Sequence, residues 1–537
     1  MQLNSTFSHI FAILIFCGWM ACGKSKKNST SGEAEDSWHS NPPTLLPEAK
    51  EGIFFVIHGM DSPQQSIEMQ VSQKELSFHP QVGQVVPGFH WPWVADFPKI
   101  FKWSATQGKW LVWKPVPEVL PPGTALKFQM SLDSSLQDHR WPAVTGQKND
   151  RLATLTPQAF LSWTWKETQT PVHWIVPGYS PRSRGKSCGL DCVEFENVAH
   201  FMDSPVTWLP QGREEAVLTK KNFTVTLGAG TWGSDAWKAR FQDTAFWDTL
   251  DGLRGQLKEK AFDPQDGSNY LIHLVANRRC LQQGLEHFEG TLISDDLDCP
   301  KSSSLGDFFG LLTHEILHTW LGKWIAPGNS GQVQWQEFNS SRLEYAFLYE
   351  GVTEGLSQLL TAQSPYGDKT SQTSHWSQTF EGMERAVGLA LPELSKQNPG
   401  WAYQYGAAFA LDLSLAIQSD SKLDSKDSVL VLLQWLRELF LAQGTTLDSL
   451  NKPFLRYLKF EPFQWAFSPG AKSLDWEGIR HATSQVLAGP ALESFSKRWL
   501  RETQPVFSNR EDWQNWCQDM AKAMGGHWDP EAAQIKY

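Results

Sequence analysis

The stretch Leu305 to Gly322, LGDFFGLLTHEILHTWLG, limits what this chain can be more than any other part of it. It contains His314-Glu315-Ile316-Leu317-His318, an HExxH pattern. A helix turns through about 3.6 residues, so His314 and His318 rise one above the other from one face and can hold two corners of a tetrahedral zinc site. Glu315 then points to the side, where a carboxylate can take the proton of an attacking water. Ser304 and Asp307 form an S-x-x-D helix start, and Gly322 is a natural stop. The interval is apolar apart from the motif and Thr313, so the helix is expected to be buried. Two histidines and a glutamate are costly to bury without a metal or partners. The alternative is a core helix whose histidines are satisfied by ordinary hydrogen bonds.

At 537 residues the chain has length for two or three domains, each with its own core. A net charge of -11 and the lack of a dense Lys/Arg stripe argue against a nucleic-acid surface. Tryptophan is abundant, with 27 residues, which suits either core packing or ring platforms for a sugar or peptide.

Ile10 to Met20 is a short apolar run ending at Ala21-Cys22-Gly23-Lys24, a lipoprotein-type processing site in a bacterial export signal. The run is too short to span a bilayer. Residues 1–21 are thus expected to be a signal peptide, with Cys22 as lipid anchor, and residues 22–50 a polar, flexible tether. An ordinary cleaved signal is the alternative, since no Lys or Arg precedes the run. Export to the cell envelope, with the protein anchored to a membrane and facing the periplasm or exterior, makes disulfides possible. Cys188 with Cys192 and Cys280 with Cys299 are the local candidates, leaving Cys517 alone. A CxxxC zinc knuckle competes for the first pair, but the sequence shows no second ligand pair beside it.

Short β-type runs broken by Pro and Gly fill the segment to about Val206, including SIEMQVS, KWLVWKP, ALKFQMSL and VHWIVPGYS. Strands at Asn222–Leu227 and Tyr270–Val275 and a helix over Ala245–Lys260 follow, and from Trp376 the pattern is helical. The expectation is a multidomain α+β chain: an N-terminal β domain over 51–206, a catalytic domain over 207–365 and a C-terminal α-helical domain over 366–537.

A catalytic zinc needs a third protein ligand, and two glutamates compete for the place. Glu337 has 18 residues between it and His318, the spacing of the large aminopeptidase family that carries HExxH and a later N-E-G-F-A. Glu350 has 31 between, but it precedes Gly351 and falls in a helix whose start, Ser341-Arg342-Leu343-Glu344, has a capping-box pattern. Helix-borne presentation is what fixes a ligand, so Glu350 is preferred.

At this point the sequence resembles the glycyl aminopeptidase family of gluzincin metallopeptidases. The stretch TWLGKWIAP follows His318 as a W-N-x-K-R-x-x-P-like stretch does in that family, and FLYEGVTEG matches its W-x-x-E-G-F-T. Upstream, Asp203-Ser204-Pro205, His273-Leu274-Val275 and Gly284-Leu285-Glu286-His287 match in order; downstream, Tyr403-Gln404-Tyr405-Gly406 matches a Y-x-K-G helix start.

The resemblance implies a thermolysin-like catalytic domain and roles for single residues. Glu286 would grip the free α-ammonium of a peptide, Tyr403 would donate a hydrogen bond to the oxyanion, and Glu315 would act as base and then as proton donor. Glu354, four residues after Glu350, is a candidate partner for a ligating imidazole. Tyr405 replaces the family's Lys, while Leu321 and Trp324 replace its Asn and Arg. The helical pattern of the last segment does not suit the PDZ domain with which family members commonly end. The reading is a zinc aminopeptidase that removes small N-terminal residues such as Gly or Ala, with Zn2+ as cofactor and peptides with free N-termini as substrates. Its rivals are a zinc endopeptidase and a catalytically silent lipoprotein that binds peptide or glycan.

Overall fold

The computed structural model describes residues 42–44, 51–59, 65–72, 76–80, 99–113, 118–130, 153–155, 163–165, 170–196, 200–201, 204–213, 216–227, 235–263, 269–275, 283–287, 290–294, 304–322, 324–325, 345–444, 458–459, 464–465 and 474–537. The signal and tether with Cys22, the pair Cys280 and Cys299, Glu337 and the capping pattern at Ser341 lie outside these residues.

The N-terminal region is built on an eight-stranded sheet. Its strands are β1 (Gly52–His58), β2 (Gln65–Ser72), β3 (Lys99–Ser104), β4 (Lys109–Val112), β5 (Ala125–Met130), β6 (Val172–Ile175), β7 (Lys186–Gly189) and β8 (Cys192–Phe195). In space they run β7-β8-β6-β1-β2-β5-β3-β4. Only β1 and β6 are parallel, and short turns can join the consecutive antiparallel pairs β1–β2, β3–β4 and β7–β8. Alternation explains the layering. Ile53, Phe55, Ile57, Ile67, Met69, Leu126, Phe128, Val172 and Trp174 share one buried face, and the other face carries Glu68, Lys127 and His173.

A second sheet of five strands carries the site: β9 (Val217–Lys220), β10 (Phe223–Leu227), β11 (Tyr270–Val275), β12 (Gln283–His287) and β13 (Gly290–Ser294), in the order β9-β10-β11-β13-β12. Its three central strands are parallel and β12 is an antiparallel edge. Every residue of β11 is buried, as a parallel strand covered on both faces requires. Helix α1 (Thr244–Lys260) lies between β10 and β11 in the chain, and α2 (Leu305–Leu317), the HExxH helix, packs on β12 and β13.

Helices follow: a π-helical turn at Phe347–Val352 runs into α3 (Thr353–Gln363), then come α4 (Lys369–Gly382), α5 (Ala402–Ser421), α6 (Ser425–Ala442), α7 (Trp476–Ser484), α8 (Gly489–Trp499) and α9 (Arg510–Ala523). Helix α5 is the axis, touching the π turn, α3, α4, α6, α8 and α9. One apolar core runs from Leu209 to Ile535, so segments 207–365 and 366–537 share it. Much of the tryptophan is spent there: Trp247, Trp320, Trp324, Trp435, Trp499 and Trp516 are fully buried. Within the helical part Asp412 accepts the indole N–H of Trp499 at 2.7 Å and of Trp516 at 3.0 Å, with Arg498 at 3.6 Å, so its buried carboxylate is satisfied. No helix among the described residues is long and apolar enough to cross a membrane.

Two glycines allow a close approach of backbones at the centre of the helical part. A Cβ on Gly351 would sit 2.0 Å from the Ala402 carbonyl oxygen, and one on Gly406 would sit 1.9 Å from the Phe347 oxygen. These residues therefore let α5 lie backbone to backbone on the π turn. Gly406→Ala should lower stability by about 1–3 kcal/mol, the usual cost of overpacking, read as a lower urea midpoint; an unchanged midpoint would contradict this contact.

Candidate metal centre

Helix α2 starts at a reciprocal cap. The Ser304 hydroxyl accepts from the Asp307 N–H at 3.0 Å, and the Asp307 carboxylate accepts from the Ser304 N–H at 2.9 Å. It ends at Leu317, earlier than the stop expected at Gly322, with His318 as its cap residue. The reason is local: the chain turns through Trp320 and Leu321 so that the Leu321 carbonyl accepts from His318 Nδ1 at 3.1 Å. Gly322 has φ of +107°, and a Cβ there would lie 1.8 Å from the Tyr349 ring. That ring packs 4.7 Å from the His318 imidazole.

His314, Glu315 and His318 are buried, with exposures of 4%, 4% and 1%. His314 Nδ1 lies 2.9 Å from a Glu354 carboxylate oxygen. With Nδ1–H of each imidazole donating outward, to Glu354 and to the Leu321 carbonyl, both Nε2 atoms present lone pairs inward, and they are 3.1 Å apart. A Glu350 oxygen faces both, 3.7 Å from His314 Nε2 and 3.5 Å from His318 Nε2. Three acceptors converging in a buried space require a cation, and two imidazoles with one carboxylate are a donor set suited to a divalent metal with one position left open.

The π turn is what presents Glu350. Its wider winding leaves the Tyr349 carbonyl to the Thr353 hydroxyl, at 2.6 Å. Glu350 and Glu354 then address opposite nitrogens of the same His314 ring. Glu354 is further held by Gln358, which donates at 3.0 Å, and by His375 Nδ1 at 3.5 Å. No local pattern marks the π turn, His375 on α4 or Tyr349. Gly284 was legible only as a letter of the GLEH run. In the structure a Cβ on Gly284 would lie 1.9 Å from Glu315 Oε1, so the edge strand β12 passes directly against this carboxylate. Glu286 stands two residues along the strand, opposite Thr291. Tyr403, in the first turn of α5, lies nearly parallel to the His314 ring, 6.0 Å away. Tyr405 is fully buried, and its hydroxyl has no hydrogen-bond partner among the described residues; burial pushes its pKa well up. It fills core where the family resemblance placed a lysine.

Of the cysteines, Cys188 and Cys192 form a disulfide and Cys517 is a buried thiol.

Residues 307–406, from the cap of α2 to the close-packed Gly406, match the family model of the M61 glycyl aminopeptidases. The match spans the segment that carries the site, 100 of the 537 residues, and supports a metallopeptidase. Among solved structures, the peptidase is similar to an aminopeptidase N family protein from Idiomarina loihiensis, with 17% identity, 78% of this chain and 77% of that chain covered, and a TM-score of 0.50. That likeness concerns the mixed α/β fold, with its N-terminal sheets and C-terminal helices. A substrate-bound mutant of an M1 zinc metallopeptidase from Deinococcus radiodurans aligns with 13% identity over 84% of this chain and 94% of that chain, at a TM-score of 0.41. No curated protein matches the chain.

The charges of the site make it a proton trap when no metal is bound. Burial opposes an imidazolium at His314, but Glu350 and Glu354 outweigh it and raise the pKa to about 10. Burial likewise opposes a carboxylate at Glu354, yet the hydrogen bond with His314 holds it down at about 2. Glu350 is depressed too, by both imidazoles against its burial. A metal must displace the His314 proton, which is bound below about pH 10. Metal affinity should therefore rise with pH between 6 and 9, by up to about tenfold per unit for one displaced proton. Chelator competition with zinc or cobalt at several pH values reads this directly; a flat profile would show that no proton is displaced.

Proposed function

We propose that the protein is a zinc aminopeptidase that hydrolyses the first peptide bond of substrates with a free N-terminus, small first residues such as Gly or Ala being preferred. The observation that carries the reading is the convergence of His314 Nε2, His318 Nε2 and Glu350, with Glu315 beside them against an edge strand. His314, His318 and Glu350 would hold the ion in a thermolysin-like arrangement of HExxH helix and antiparallel edge strand. Zinc, when bound, supplies Lewis acidity toward the scissile carbonyl and brings the pKa of water toward about 7.

The protein's own groups do the rest. Glu315 accepts the proton of the attacking water and returns it to the leaving amine. Tyr403, beside the His314 ring, donates its phenol hydrogen to the oxyanion. Glu354 fixes the His314 ring so that Nε2 faces inward, and it strengthens that nitrogen as a donor to the ion. A peptide laid along β12 extends the sheet by strand addition, and Glu286 pairs with its α-ammonium.

Two outcomes test this. Glu315→Gln should keep the metal and lose turnover by about 10²–10⁴-fold, the range for a general base; loss of zinc in this variant would remove the base assignment. Peptides with free α-amino groups should be cleaved and their N-acetyl forms spared, because a neutral end leaves the carboxylate unpaired. Equal cleavage of both would favour an endopeptidase.

A further inference from the structure

The CxxxC pair in the N-terminal sheet lacks a second ligand pair in the sequence, but the fold brings one residue to it from 15 positions upstream of Cys188. His173 on β6 stands opposite Glu194 on β8, and Cys192 lies two residues before Glu194 on that strand, hence on the same face. A register shift between Ser187 and Gly189 turns Cys188 toward its partner. A ring nitrogen of His173 and the two sulfurs all lie within 4.8 Å of one another. His173 is 2% exposed. Its Nε2 lies 3.4 Å from the Glu51 carbonyl oxygen and its Nδ1 lies 3.4 Å from a Glu194 oxygen. If Nε2–H donates to that carbonyl, Nδ1 keeps its lone pair on the side of Glu194, the tautomer that a metal-bound imidazole needs.

We propose that the reduced form of this disulfide is a second, structural metal site, in which Cys188, Cys192 and His173 bind a thiophilic divalent cation. Glu194, with a carboxylate oxygen 3.4 Å from His173 Nδ1, would complete the set. Two thiolates and an imidazole are a soft donor set that selects zinc or cobalt over magnesium or calcium. In a tetrahedral site with bonds of about 2.0–2.3 Å, neighbouring donors stand roughly 3.3–3.8 Å apart, so on reduction the two sulfurs, about 2.0 Å apart in a disulfide, part by roughly 1.7 Å to take an ion. The step balances. An external dithiol gives two electrons and two protons to the Cys188–Cys192 bond and becomes a disulfide itself; binding the cation then releases the two thiol protons. The site joins β7 and β8 to β6, the strand that lies parallel to β1, so the same sheet edge is clasped by a disulfide or by a metal according to redox poise.

The test is a cobalt titration of the full-length protein before and after reduction with a phosphine, followed by absorption spectroscopy. The oxidised protein should show no thiolate-to-cobalt charge transfer, because the catalytic centre offers only nitrogen and oxygen donors. The reduced protein should bind one additional equivalent and gain that near-ultraviolet band. Cys188→Ser should remove the band, and His173→Ala should weaken binding by at least about tenfold, the loss that even an outer partner of a ligand can cause. X-ray absorption at the cobalt edge of reduced wild-type protein whose catalytic centre has first been filled with zinc, fitting two sulfurs and one imidazole, serves if a His173 variant does not fold. No band after reduction, or a cobalt shell without imidazole, overturns the proposal. The catalytic reading fails separately, through loss of the equivalent that carries no band.

Discussion

Two imidazole nitrogens held 3.1 Å apart with their lone pairs converging is the constraint on which the rest of the site depends. In an apolar interior that arrangement is repulsive unless a proton or a metal lies between. It persists because each ring is anchored from behind, His314 by Glu354 and His318 by the Leu321 carbonyl. Those anchors come from different parts of the chain, and each needs its own local geometry. The Leu321 carbonyl reaches His318 only because the helix stops at Leu317 and the backbone passes through positive φ at Gly322. Glu354 reaches His314 only because α3 is pressed on α2 by α5, and α5 comes close only where Gly351 and Gly406 leave room.

How much of this was legible in the sequence follows from the range of each interaction. The cap at Ser304, the face shared by His314 and His318, and the Glu350–Glu354 pair are local, and local periodicity shows them. The β runs of the first region, the Tyr270–Val275 strand and the helical character after Trp376 were legible for the same reason. The π turn was not, because Phe347–Val352 has an ordinary helical composition and the contact of α5 with Gly351 in that turn is tertiary. Nor was His375, whose contact with Glu354 is tertiary. The glycines of the Glu-Gly and Tyr-x-x-Gly patterns were legible as letters, while their function is a contact between two backbones. The shared core of the last two segments was likewise invisible to a reading in order, since it depends on which helix faces meet.

The N-terminal sheet shows the same division between local pattern and tertiary pairing. The spacing of Cys188 and Cys192 marks them as a pair, but only strand register brings His173 and Glu194 beside them. Buried polar groups on the outer face, Glu68 and Lys127 among them, sit directly opposite each other in register, so one charge offsets the other. The burial that lowers the Lys127 pKa is itself opposed by Glu68. In both sheets the alternation of strands supplies the faces, and the register supplies the chemistry.

The most direct measurement of the central claim is anomalous diffraction at the zinc edge from crystals of the zinc-loaded protein. A strong peak is expected between α2 and the π turn, with His314 Nε2, His318 Nε2 and a Glu350 oxygen each about 2 Å from it. A peak ligated by Glu337 with Glu350 turned away, or no peak between the two histidines, would contradict it.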